Sequence, residues 1–232
     1  NELGIKGIAD NVKLMTLRAV PDGDEHDKDI ALAIRYAVDN GAQIINMSFG
    51  KSLSPERKWV EEAIRYAEKK NVLIIKAAGN DAVNVDSVMN FPTAFYMNST
   101  QKASNVVTVG ASGANMDNGL VAPFSNYGKK TVDVFAPGFN IYSTVQGVNT
   151  YEAMSGTSMA SPVVAGLAAV IKSYFPKLSA KQIKEVIEES VVKIDEPVVN
   201  PHTGKRVSMG ELCRTAGIVN AYNAIKLAEK IN

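Results

Sequence analysis

The chain has 232 residues, of which 21% are charged and 46% hydrophobic, and its formal net charge is +1. Those values suit one large α/β domain and give no nucleic-acid or membrane-surface footprint. The single cysteine, Cys213, excludes an internal disulfide, and no apolar run reaches the ~20 residues needed to span a bilayer.

The opening Asn1-Glu2-Leu3-Gly4 lacks the basic segment and apolar core of a signal peptide. Residues 12–20 have strand-like composition with partial alternation. Residues 21–29 form an acidic turn, read either as a metal site or as a solvated loop whose last acids favour the next helix. Ile30, Ile34, Ala37 and Val38 share one helical face, and Asn40-Gly41 stops that helix. Residues 42–50 read as a buried strand ending in glycine. Ser54-Pro55-Glu56 supplies a cap, a first-turn proline and an acid for a second helix with Val60, Ala63, Ile64 and Ala67 on its apolar face. Asn71 ends it, and residues 72–78 are a nearly continuous apolar run, as in a strand covered on both sides. Strands alternating with helices predict a parallel sheet with right-handed crossovers. Residues 105–111 and 131–138 add two strands, separated by a Gly-, Asn- and Ser-rich surface loop. Ser179 caps a helix carrying Ile183, Val186 and Ile187 on one face. Residues 195–216 read as an irregular polar excursion, and Gly217 opens a C-terminal helix.

The densest chemical signal is Ser155-Gly156-Thr157-Ser158-Met159-Ala160-Ser161-Pro162, followed by the apolar run 163–171. The run predicts a helix hydrophobic on nearly every side and therefore buried, with Pro162 in its first turn. Ser158 then stands at a helix N-terminus, where free N–H groups and the positive dipole end favour developing negative charge. A lone serine there is ordinarily only a cap.

The eight-residue string resembles the nucleophile motif of the subtilisin-like serine proteases, the subtilases. The resemblance implies that Ser158 is the nucleophile and that its backbone N–H is one oxyanion donor. Ala77-Ala78-Gly79-Asn80 resembles the subtilase segment that carries the oxyanion-hole asparagine, which makes Asn80 the second donor; otherwise an Asn after Gly is a turn residue. Ser48, Phe49 and Gly50 match the segment that pairs with extended substrate and walls the first specificity pocket; Ala77, Ala78 and Gly79 match the opposite wall. Small residues there leave room for a large apolar substrate side chain, although both stretches also read as tight strand ends. Asn90-Phe91-Pro92-Thr93-Ala94 is similar to the segment with a cis proline at the pocket base. Residues 124–125, 136–138 and 217–224 extend the similarity. The implied fold is a three-layer α/β architecture, a mainly parallel central sheet with helices on both faces, with residues 1–232 forming one peptidase domain that lacks its N-terminal part.

The base and its orienting acid are what the resemblance leaves without a match. The only histidines, His26 and His202, lie in neither of the family's N-terminal strings, which would precede residues 4–12. The expectation is an endopeptidase whose isolated chain is inactive, with a non-catalytic peptide-binding or scaffold protein as the alternative. The family resemblance further implies a polypeptide substrate, no cofactor for the chemistry and an extracellular or cell-envelope setting. Structural calcium occurs in some relatives, and Asn1, Leu3 and Ile5 would fall in such a loop. Removal of a central strand would leave a sheet edge for an N-terminal fragment or a second copy to cover.

Overall fold

The computed structural model describes residues 4–20, 23–113, 119–148 and 150–232. The first half alternates as its periodicity requires: α1 (Asp27–Asp39), β1 (Ile44–Met47), α2 (Arg57–Lys69), β2 (Leu73–Ala77), β3 (Val106–Ser112) and β4 (Val134–Pro137). A hairpin follows, β5 (Ile141–Thr144) and β6 (Tyr151–Met154), which feeds α3 (Thr157–Tyr174) and α4 (Ala180–Glu189). The chain closes with β7 (Val192–Lys193), β8 (Val198–Val199), β9 (Arg206–Val207), α5 (Met209–Leu212), β10 (Gly217–Ile218) and α6 (Ala221–Ile231).

The main sheet runs in the order β1-β2-β3-β4-β10-β7. β1 to β4 and β10 are parallel, and β7 is an antiparallel edge. Every residue of β2 and β3 is buried, which is why both read as apolar runs without alternation. Ile30, Ile34, Val60, Ala63 and Ile64 pack α1 and α2 against one face of the sheet. Val164, Leu167, Ile171, Ile183 and Ile187 pack α3 and α4 against the other, with Ala224 and Ala228 of α6. This is the expected three-layer arrangement.

Several local expectations change. Residues 12–20 enter no ladder, and Leu14 is 89% exposed. On its side away from β2, β1 has no strand partner among the described residues, and residues 12–20 do not fill that edge despite their strand-like composition. The α2 helix begins at Arg57, and Ser54, expected as its cap, donates instead to Asp27 Oδ1 at 2.7 Å. Residues 120–127, expected on the surface, run inward: Ala122, Ser125 and Asn126 are fully buried. The late excursion is likewise anchored, because Met209, Leu212 and Cys213 close a third apolar cluster with Val132 and Phe135. Gly217 pairs in β10, and the last helix starts only after Asn220, whose Oδ1 accepts from Asn223 N at 2.9 Å. No helix among the described residues is long and apolar enough to cross a membrane.

The last acids of the turn, Asp27 and Asp29, fall in the first turn of α1, which has no side-chain cap. Asp27 begins α1, is buried, and pairs with Lys51 at 2.8 Å while accepting from Glu56 N at 2.9 Å. Among the described residues no group of three His, Cys, Asp or Glu side chains could hold a metal ion. Pro21, Asp22, Asn1 and Leu3 lie outside the described residues, and so does most of the calcium-loop reading.

Candidate active site

Parallel strands deliver their C-terminal ends to one side of the sheet, and the N-terminus of α3 arrives there too. Gly156 N donates to Gly138 O at 2.8 Å, just past the end of β4, which fixes where α3 begins. The helix starts at Thr157, so Pro162 falls in its second turn, not its first as the sequence suggested. A proline at this position removes the N–H that would bond the carbonyl four residues back. That carbonyl belongs to Ser158, and it accepts instead from Ser48 Oγ at 2.8 Å. Ser158 Oγ in turn donates to Ser48 O at 3.1 Å. The reciprocal pair couples the candidate nucleophile to the end of β1. Ser161 Oγ adds a bond to Asn46 Oδ1 at 2.7 Å, and Asn46 Nδ2 donates to Ser48 Oγ at 3.0 Å. The helix is less covered than its composition implied: Pro162 is exposed and Val163, Ala165 and Gly166 are half-buried.

Asn80 faces the same helix start. Its Oδ1 accepts from Thr157 N and from Thr157 Oγ1, both at 2.9 Å, and Thr157 Oγ1 accepts from Gly79 N at 3.1 Å. With the carbonyl side held by Thr157, the amide Nδ2 must point outward. A methyl group built on Gly156 would lie 3.6 Å from Asn80 Nδ2 and 3.6 Å from Ser158 N. Asn80 Nδ2 and Ser158 N thus lie close together at the N-terminal, electropositive end of α3, with Met159 Sδ at the same distance from that point.

Asn126 positions this segment, and sequence reading missed it. Its Oδ1 accepts from Asp81 N and Val83 N, each at 3.0 Å, and its Nδ2 donates to Ala78 O at 3.0 Å. One fully buried amide therefore satisfies the backbone on both sides of Asn80. Its closeness also explains Gly79, which adopts φ +104° and whose Cβ would stand 2.2 Å from Asn126 Nδ2. The signal available beforehand was a polar pair, Ser125-Asn126, next to the apolar 120–124 stretch.

The two candidate walls are the ends of neighbouring strands. Ser48, Phe49 and Gly50 follow β1; Ala77, Ala78 and Gly79 finish β2. Lys51 and Phe91 exchange backbone hydrogen bonds at 2.8 and 3.0 Å, bringing residues 90–92 against the first wall, and the Phe91–Pro92 peptide is cis. Neither histidine joins the cluster. His26 is exposed before α1, His202 is exposed in the turn between β8 and β9, and neither bonds to Ser158.

A family model described as the subtilase family matches residues 1–210. A thermophilic serine proteinase from a Bacillus strain is 38% identical over 226 residues, which is 97% of this chain and 48% of that protein. Thermitase from Thermoactinomyces vulgaris is 34% identical over 227 residues, 97% of this chain and 70% of its own length. A protease structure from Pseudoalteromonas arctica superposes with a TM-score of 0.75 at 29% identity, covering 97% of this chain and 66% of that one. The chain spans about half the length of the first curated relatives it matches. With the serine string at the head of α3 and a family match along nearly its whole length, the chain belongs to the subtilase family of serine peptidases.

Proposed function

We propose that the protein to which this chain belongs is a serine endopeptidase. Extended substrate backbone lies along Ser48, Phe49 and Gly50, with Ala77, Ala78 and Gly79 opposite. Ser158 Oγ attacks the scissile carbonyl while a histidine base outside these residues takes its proton; the C–N bond breaks, the amine leaves with that proton, and water hydrolyses the acyl-enzyme to the free carboxyl product. Asn80 Nδ2 and the Ser158 N–H hold the oxyanion. The observation that carries this reading is that Asn80 Nδ2 and Ser158 N lie together at the start of α3, each 3.6 Å from where a methyl on Gly156 would stand. Removing a donor of this kind lowers kcat about 10²–10³-fold, so Asn80→Ala should reduce turnover by that factor. Residues 1–232 act as one peptidase domain completed by polypeptide outside them, either an N-terminal fragment or a second copy. The setting is extracellular or the cell envelope. Calcium would serve structure only.

The 232-residue chain alone should be inactive, because a nucleophilic serine needs a base within hydrogen-bond reach and, among the described residues, the Ser158 hydroxyl bonds to the Ser48 carbonyl. Fluorophosphonate labelling tests both halves of the proposal. The isolated chain should remain unlabelled, whereas the whole gene product should be labelled and lose label in Ser158→Ala. Labelling of the isolated chain at Ser158 would overturn its inactivity. An unlabelled whole gene product that still binds peptides would favour a non-catalytic scaffold.

A further inference from the structure

Asn90 lies between the two strand ends that border the proposed cleft. A methyl on Gly50 would stand 2.7 Å from Asn90 Oδ1, and one on Gly79 would stand 3.1 Å from Asn90 Nδ2. The amide therefore spans the gap left by the two glycines, where the sequence suggested room for a large apolar group. The paired Lys51 and Phe91 backbones hold it in place.

Behind the amide stands Lys76 of β2, 2% exposed, with its Nζ 3.5 Å from Asn90 Oδ1. No carboxylate forms an ion pair with Lys76 among the described residues. Its register neighbours are Met47 and Thr108, and the buried Thr108 hydroxyl has no hydrogen-bond partner among the described residues. Asp133, the carboxylate whose charge reaches Lys76, is itself paired with Lys102 and Arg214, so the buried cation is poorly compensated and an incoming anion would relieve that. The ammonium also orients the amide: Oδ1 turns toward Lys76, so Nδ2 turns away from it. Asn90 Nδ2 has no hydrogen-bond partner among the described residues and is half-buried, within reach of the cleft. Donors backed by positive charge favour a carboxylate, give an apolar ring nothing to bond, and repel a second cation.

We propose, resting on the peptidase reading above, that Asn90 and Lys76 form the floor of the first specificity pocket and select substrates with an acidic side chain before the scissile bond. Asn90 contacts that side chain, and Lys76 supplies the charge.

The test uses the whole gene product and labelled tetrapeptides that differ only in their last side chain: glutamate, glutamine, phenylalanine or lysine. Fluorescence anisotropy reads binding of the C-terminal amides, and release of a C-terminal chromogenic group reads hydrolysis. At pH 6, where Lys76 carries its proton, the glutamate peptide should bind about tenfold tighter than the phenylalanine peptide. Lys76→Met keeps shape and removes charge, so it should fold and should abolish the preference for glutamate over glutamine. Asn90→Gly should open the floor and shift preference toward phenylalanine. Wild-type preference for phenylalanine or lysine, or a glutamate preference unchanged in both variants, overturns the proposal. Hydrolysis that favours phenylalanine sinks the acidic pocket and leaves the peptidase reading standing. Tight binding of the glutamate peptide without hydrolysis supports the pocket and sinks the peptidase reading. Binding of none of the peptides overturns both.

Discussion

At the residue scale, single groups are held by what surrounds them on several elements. Thr157 fixes the orientation of Asn80, Asn126 fixes the backbone around it, and the Ser158 carbonyl released by Pro162 is taken up by Ser48. Lys76 is the residue with the largest unmet demand. Burial is the main reason its ammonium is pushed down from 10.5 to about 7; nearby Lys102 pushes the same way and Asp133 opposes both. The folded chain thus binds fewer protons at Lys76 than the unfolded chain between pH 7 and 10.5, so stability rises with pH across that window. The penalty of a buried charge is fully present below pH 7 and gone above the unfolded value. A displacement of that size corresponds to roughly 5 kcal/mol. Lys76→Met should therefore raise the denaturation midpoint most at pH 6–7, with the gain shrinking toward pH 10. Urea titrations at several pH values check this, and a gain that does not vary with pH would contradict it.

At the element scale, α1 and α2 are fastened by a buried polar clamp. Asp27 at the start of α1 takes Lys51 at 2.8 Å, Ser54 Oγ at 2.7 Å and Glu56 N at 2.9 Å. Burial works to raise the Asp27 pKa, but these partners outweigh it and hold the carboxyl below its usual range. The lowered value means the clamp contributes fully above the unfolded pKa and is lost as pH falls through the folded one. Removing Asp27 leaves the Lys51 charge with only the Glu25 carbonyl oxygen as acceptor, so Asp27→Ala should cost about 3 kcal/mol in chemical denaturation at neutral pH. The deficit should narrow in acid, and a pH-independent deficit would argue against the ion pair. Helices of this kind were legible because their apolar faces repeat locally: Ile30, Ile34, Ala37 and Val38 are all buried. The serine string and Asn80 were legible as motifs. The Asp27 clamp, Asn126 and the Asn90–Lys76 pair were not, because each joins residues far apart in sequence through contacts that leave no periodic trace. Lys76 was in fact hidden by its surroundings, since one lysine within an apolar run does not disturb the strand pattern.

At the scale of the molecule, the order of the sheet follows from alternation of elements, but its limit at β1 does not. Residues 12–20 have the composition of a strand but pair with none among the described residues, which local sequence cannot reveal, because pairing is decided by a neighbour. The result is an open edge on β1, half-buried at Ile44 and Ile45, together with apolar side chains left outside: Leu14 at 89% exposure, Ile8 at 54% and Met15 at 43%. An unpaired edge beside exposed apolar groups is a template for association. The 232-residue chain should accordingly self-associate at micromolar concentrations, the range in which exposed edges drive assembly. Sedimentation velocity across a dilution series should show the mean mass rising with concentration. Leu14→Lys with Met15→Lys should suppress that rise while leaving the far-ultraviolet spectrum unchanged, since neither residue contributes to a ladder. If the wild-type chain stays monomeric through the whole series, the open edge does not govern its behaviour, and completion of the fold by a second polypeptide loses its physical motive.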